Sequence, residues 1–300
     1  MNRAIGVLGA PSSIGMRPYE DGEARNVDRA PGVLRERGLI ERLGAHDFGD
    51  VIPPPYRDYV RPARGIRNQE SVIAYSRSLG ERLAAATANG QFAVVLGGDC
   101  SIVLGCLMGA RRHARGAVGL AYLDAHADFA TPAESRSGSV AGMSLALAVG
   151  RGDTPLARLA GRVPLIDSAH VALIGRRDGI DAGHGHSALA VSRIMDVPDS
   201  ELLTQAPGDT AAASLTQIAA AGVRGFWIQL DADVLNPVVM SAVDSPVPGG
   251  PMPHELVALL QPLVRHPLAL GLSVTVYDPA LDADRSCARR LVGLVEAVLT

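Results

Sequence analysis

Short apolar runs punctuate this 300-residue chain, and each ends at a glycine-rich or charged turn. They occupy residues 4–9, 92–96, 119–123, 171–175, 225–230 and 268–276. A strand with one wet face alternates apolar and polar residues, whereas a run that is apolar throughout is covered on both faces. Helical spacing fills several intervals: 33–43, 68–88 (Val72, Ile73, Leu79, Leu83, Ala86), 101–114 and 288–299. Buried strands separated by helices predict an α/β fold with a mostly parallel sheet. In such sheets ligands gather outside the carboxyl ends of the strands. Residues 46–52 alternate weakly and run into Pro53-Pro54-Pro55, as an edge strand does. No repeat or long linker interrupts the pattern, so residues 1–300 read as one domain, with surface loops at 53–67 and 179–187.

Composition removes whole classes of function. A net charge of -3 and a pI near 6.2 offer no electrostatic footprint for nucleic acid or an anionic membrane surface. Lysine is absent, which excludes a Schiff-base lysine and the lysine of a phosphate-binding P-loop. No apolar run approaches the ~20 residues that span a bilayer. Cys100, Cys106 and Cys287 are widely spaced, and the first residues lack a secretory pattern, so a reducing cytoplasm is the expected location. The expected partners are a small molecule or another protein.

Three strand ends carry groups that ligate metals. Asp99 and Cys100 follow Gly97-Gly98; Asp124, His126 and Asp128 follow the run ending at Leu123; Asp231 and Asp233 follow the run ending at Leu230. If the backbone stays extended beyond Leu123, residues two apart point the same way, so Asp124, His126 and Asp128 share a face. Without a cation such neighbours perturb one another's protonation; with a divalent metal they become ligands. The plain alternative is a set of solvated acids at strand-end turns.

In this order, the three turns resemble the signatures of the arginase/agmatinase (ureohydrolase) family: a GGDHS-like turn, a DAHxD motif and a DxDxxDP motif. Ser137-Gly138 and Gly175-Arg176-Arg177-Asp178 extend the resemblance over most of the chain. It implies a three-layer α/β/α sandwich with about eight strands, a trimer or hexamer, and two Mn²⁺ ions whose bridging hydroxide attacks a guanidinium carbon. By position, Asp124 and Asp231 would bridge the ions, Asp128 and Cys100 would complete one, and His126 and Asp233 the other. His126 and Asp128 are thereby also the central catalytic candidates.

The chain departs from the family pattern at five positions. Cys100 stands in place of a histidine ligand, Ala130 of an asparagine that holds the amino-acid end of arginine, and Ala141 of a proton-shuttling histidine. Asn236 replaces the last acid of the third motif, and Val276 a glutamate that faces the guanidinium group. A thiolate is soft and favours Zn²⁺ or Fe²⁺ over Mn²⁺; alternatively Cys100 is a buried thiol beside a single ion. Without an acid at position 276 the usual bidentate grip on a guanidinium is missing. Glu134, Asp178 and Asp181 are the remaining acidic candidates, with Ser137 and Tyr277 as further substrate contacts. His184 and His186 are candidate proton carriers, weighed against a solvated glycine-rich loop.

The resulting expectation is a hydrolase of a non-peptide C–N bond in a linear amidine, guanidine or hydroxyguanidine. The alternatives are a non-catalytic metal- or ligand-binding relative and an amide or formimino hydrolase using the same site.

Overall fold

The computed structural model describes residues 3–63, 65–159, 161, 164–178 and 185–300. Its strands are β1 (Ile5–Ala10), β2 (His46–Asp50), β3 (Phe92–Gly97), β4 (Ala117–Leu123), β5 (Val171–Ile174), β6 (Met195–Val197), β7 (Val223–Asp231) and β8 (Ala269–Thr275). They form one 8-stranded sheet in the order β2-β1-β3-β8-β7-β4-β5-β6, and every pairing between them is parallel. The α/β expectation is met, and β2 lies at an edge as its weak alternation and following prolines predict.

The chain also forms α1 (Ala30–Glu36), α2 (Leu39–Leu43), α3 (Gln69–Ala86), α4 (Val103–Ala114), α5 (Ser144–Ala148), α6 (His186–Ala190), α7 (Asp199–Leu202), α8 (Pro207–Ile218), α9 (Pro253–Arg265) and α10 (Ser286–Leu299). Successive strand residues feed opposite layers. Phe92, Val94 and Leu96 of β3 join a core built with α1, α2 and α8 to α10, while Ala93 and Val95 join one built with α3 to α5. Both faces of each central strand are therefore covered, which is why the runs are apolar throughout.

The single helix expected over 33–43 is broken by Gly38, whose left-handed φ of 81° separates α1 from α2. The sequence reading left β6, α8 and α9 unassigned. β6 is only 3 residues long at the sheet edge, with Met195 and Asp196 partly exposed, so it presents no apolar run.

The path from β3 to β4 leaves a gap that β8 and β7 later fill. The chain direction across the sheet reverses there, so the carboxyl ends of β3, β8, β7 and β4 open into one crevice. Gly98, just beyond β3, lets this crevice close on the loop after β1: a Cβ there would lie 2.2 Å from the Ser12 carbonyl oxygen.

Candidate metal centre

Beyond Leu123 the chain turns rather than continuing as a strand. Asp124 Oδ1 accepts from the His126 backbone N–H at 2.8 Å, and Asp128 adopts a left-handed φ of 47°. The expectation that Asp124, His126 and Asp128 share one extended face is corrected. The turn sends them to two clusters. Asp124 and His126 meet Asp233, with His126 Nδ1 at 3.4 Å from Asp124 and 3.1 Å from Asp233; Asp128 meets Cys100 and Asp231. Within each cluster one donor atom per residue lies within 4.8 Å of the others.

Neighbouring groups hold these side chains. Asp128 Oδ2 accepts from the Tyr122 hydroxyl at 2.6 Å and from Ser144 Oγ at 3.0 Å. Asp231 Oδ1 accepts from Gln229 Nε2 and Thr275 Oγ1, both at 2.5 Å. Arg177 donates to the carbonyls of Asp233, Val234 and Leu235, at 2.6, 3.0 and 3.1 Å, and so fixes the turn after β7 without touching its carboxylates. Asp99 is not part of either cluster: Ser12, Gly15 and Ser101 all donate to its carboxylate, which makes it a brace for the turn that carries Cys100.

The electrostatics call for positive charge. Burial, then the nearby Asp233, Asp231 and Asp128, push Asp124 well above the usual carboxylate range. Burial, then Asp233 and Asp128, push Asp231 up to about 8. Burial raises Asp128 despite the Tyr122 hydrogen bond. The Cys100 thiol is pushed far up by burial and then by Asp128, Asp231 and Asp124, so it is a thiol until a cation neutralises its surroundings. Burial opposes charge on His126, but Asp124 and Asp233 outweigh it and raise the imidazole. Among the described residues no arginine pairs with these four carboxylates, whereas divalent cations suit this donor set of buried carboxylates, one imidazole and one thiol.

Both clusters line one cavity of about 390 Å³, whose wall also includes Ala130, Glu134, Ser137, Ala141, Asp178 and Val276. Ser137 Oγ accepts from the Ser139 backbone N–H at 3.1 Å. Glu134 reaches the cavity, but Arg151 grips both its oxygens at 2.8 Å and holds its carboxyl at about 2. Asp178 differs: Oδ2 accepts from the Ala127 N–H at 3.0 Å, while among the described residues its buried Oδ1 has no hydrogen-bond partner.

Two of the candidates lie outside the cavity wall. Tyr277 is 1% exposed, lies outside the cavity wall and donates its hydroxyl to Asp282 at 2.7 Å, so it is a core residue rather than a substrate contact. His186 begins α6 behind the cavity wall, its Nε2 3.4 Å from Asp178, and does not face the cavity as a proton carrier would. Asp181 and His184 lie outside the described residues.

A model of the arginase family matches residues 4–300. The chain belongs to the arginase family. The arginase of Staphylococcus aureus (strain COL) is 29% identical over 307 residues, spanning 98% of this chain and 96% of that protein. The arginase of Bacillus subtilis (strain 168) is 29% identical over 304 residues, 100% of this chain and 98% of that one. The crystal structure of Bacillus subtilis arginase superposes with a TM-score of 0.86 at 28% identity, covering 99% of this chain and 98% of that one. This arginase-family chain is thus similar along its whole length to hydrolases of C–N bonds that work on small molecules with a binuclear metal centre.

The residues behind the ligands were not anticipated. Gln229 was read as part of an apolar strand, although a polar side chain in a buried run is itself a signal. Ser273 and Thr275 carry the same signal in β8. Tyr122 and Ser144 gave none, because their relation to Asp128 depends on the left-handed turn. Among the described residues, no helix is long and apolar enough to cross a membrane.

Proposed function

We propose that this chain hydrolyses a non-peptide C–N bond in a linear amidine, guanidine or hydroxyguanidine, using two divalent cations. The observation that carries the reading is that Cys100/Asp128/Asp231 and Asp124/His126/Asp233 form two ligand sets at the wall of one cavity. Cys100, Asp128 and Asp231 would hold one cation and Asp124, His126 and Asp233 the other. Such a pair supplies a polarising charge and an activated water. Mn²⁺ is typical of the family, and Cys100 moves the preference towards Zn²⁺ or Fe²⁺. The chain's own residues do the rest. Tyr122 and Ser144 orient Asp128, Gln229 and Thr275 orient Asp231, and Asp178 places an acid on the cavity wall in place of the one missing at position 276. The protein works as a homo-oligomer in the cytoplasm.

Protein loaded in turn with Mn²⁺, Zn²⁺ and Fe²⁺ is expected to release urea or ammonia from at least one member of a guanidine, amidine and formimino panel. Failure with every cation and every compound would sink the enzymatic reading. A second reading, a non-catalytic metal-binding relative, is favoured by Ala130, Ala141 and Val276, which put apolar side chains at three places on the cavity wall. It predicts tight cation binding with no turnover; turnover that Asp231→Asn abolishes in a folded protein rules it out.

A further inference from the structure

A polar ladder crosses the otherwise apolar middle of the sheet. In the parallel pair β7 and β8, Trp227 lies beside Gly271, Gln229 beside Ser273 and Asp231 beside Thr275. Alternate strand residues share a face, so Trp227, Gln229 and Asp231 stand in a row with Ser273 and Thr275 alongside. None of the five is more than 1% exposed. Trp227 Nε1–H donates to Ser273 Oγ at 2.8 Å, and the Ser273 hydroxyl donates to Gln229 Oε1 at 2.5 Å. Gln229 Nε2 donates to Thr275 Oγ1 at 2.6 Å and to Asp231 Oδ1 at 2.5 Å, and the Thr275 hydroxyl donates to the same Oδ1 at 2.5 Å. Gly271 leaves space for the indole, since a Cβ there would lie 2.5 Å from its Cζ3.

The chemistry of the two ends fixes every proton between them. An indole N–H only donates, and a carboxylate that ligates a cation only accepts. Ser273 receives the indole proton, and its own goes to Gln229 Oε1 at 2.5 Å rather than to the Ile228 carbonyl at 3.4 Å. That sets the amide, so Nε2 faces Thr275 and Asp231; Thr275 then spends its single proton on Asp231. Reversing the amide would place Oε1 against the carboxylate and NH₂ towards the Ser273 hydroxyl, breaking the sequence at both ends. Both donors converge on Oδ1, which leaves the second oxygen of Asp231 for the cluster with Cys100 and Asp128.

We propose that Gln229 is a positioning residue, held in one orientation by Trp227 through Ser273, that together with Thr275 presents Asp231 to a cation through a single oxygen. The inference rests on the reading of Asp231 as a ligand. The ladder sets how tightly that ligand set holds its ion, from a donor two residues beyond Gln229 along the same strand and out of contact with the cavity. Groups behind a ligand typically change metal affinity about 10- to 100-fold when removed.

The test is calorimetric titration of the full chain, stripped with chelator, with Mn²⁺ and separately with Zn²⁺. Thr275→Val keeps the shape and removes the hydroxyl; it should weaken one of the two binding steps by about 10-fold or more, and Thr275→Ser should restore it. Gln229→Leu should weaken the same step, and Trp227→Phe should weaken it less while leaving the other step unchanged. The serine rescue separates positioning from a general loss of packing, and the Thr275 pair decides the matter should Gln229→Leu fail to fold. Wild-type affinity in Thr275→Val, with binding of that ion lost in Asp231→Asn, overturns the ladder and leaves the ligand assignment standing. Unchanged binding of both ions in Asp231→Asn, or no binding by the wild type, overturns both.

Discussion

Asp231→Asn is predicted to stabilise the cation-free protein, and increasingly so as pH rises. The Asp231 carboxyl is 1% exposed, faces Asp233 and Asp128, and is pushed from 3.8 to about 8. A carboxyl whose folded pKa exceeds its unfolded value binds its proton more tightly in the fold. Its stabilising contribution is complete below about pH 4 and is lost as pH rises towards about 8. In that window the loss is ~1.4 kcal/mol per pH unit, or on the order of 4 kcal/mol between about pH 5 and pH 8. That is a large part of a typical stability of ~5–15 kcal/mol. Asparagine cannot ionise, and its carbonyl oxygen still accepts from Gln229 and Thr275, so the variant escapes the loss. Urea unfolding of both proteins in chelator, at about pH 5, 6.5 and 8, should show the variant's advantage widening with pH. Saturating Mn²⁺ or Zn²⁺ should reverse the order, because the wild type gains from a cation that the variant holds poorly. An advantage that stays flat with pH, or a wild type that gains on the variant towards pH 8 without cation, would refute the argument.

Cys100→Ser is predicted to weaken Zn²⁺ binding by about 10- to 100-fold while changing Mn²⁺ binding by less than about 3-fold, since only the soft cation loses a preferred donor; competition against a chelator reads both. Val276→Glu places a carboxylate on the cavity wall and should tighten agmatine binding by about 10- to 100-fold, the value of a charged hydrogen-bonded pair, as measured by calorimetry on cation-loaded protein. An unchanged affinity would mean that residue 276 does not reach the ligand. Asp178→Asn can keep its acceptor bond to the Ala127 N–H while losing the negative charge, so methylguanidinium should bind about 10-fold more weakly at unaltered cation content; equal affinity would remove Asp178 from the substrate reading.

The sheet was legible because burial on both faces leaves continuous apolar runs, and α3, α4 and α10 because their apolar residues recur at helical spacing. The break at Gly38 and the short edge strand at Met195 were not, since one depends on a single glycine's backbone and the other on pairing with β5. The candidate ligands could be named from three strand-end turns, yet their division into two sets could not be obtained from alternation. That division follows from the left-handed turn at Asp128, which period-two reasoning does not contain. Tyr277 and His186 lie outside the cavity wall for a related reason: proximity in sequence to Val276 or Asp181 says nothing about which side of the backbone faces the cavity. Gln229 failed because its role exists only across the β7–β8 pair.

Val276 joins these threads. Its φ of 59° is left-handed, a conformation that a β-branched side chain strongly disfavours, and its N–H donates to the Gly98 carbonyl at 2.9 Å. Strain of this kind, ~1–3 kcal/mol, persists where surrounding structure dictates the backbone. Here that structure is the junction of β8 with the glycine turn after β3, which also positions Cys100. Residue 276 is therefore aimed into the cavity by the architecture whatever side chain it carries, and a glutamate would tolerate the position better than valine does. In the proposed reading, the acid's absence changes recognition while leaving the scaffold that bears the candidate ligands intact. A ligand that meets valine at this wall must find its acceptor elsewhere, and Asp178 is an acid on the same wall.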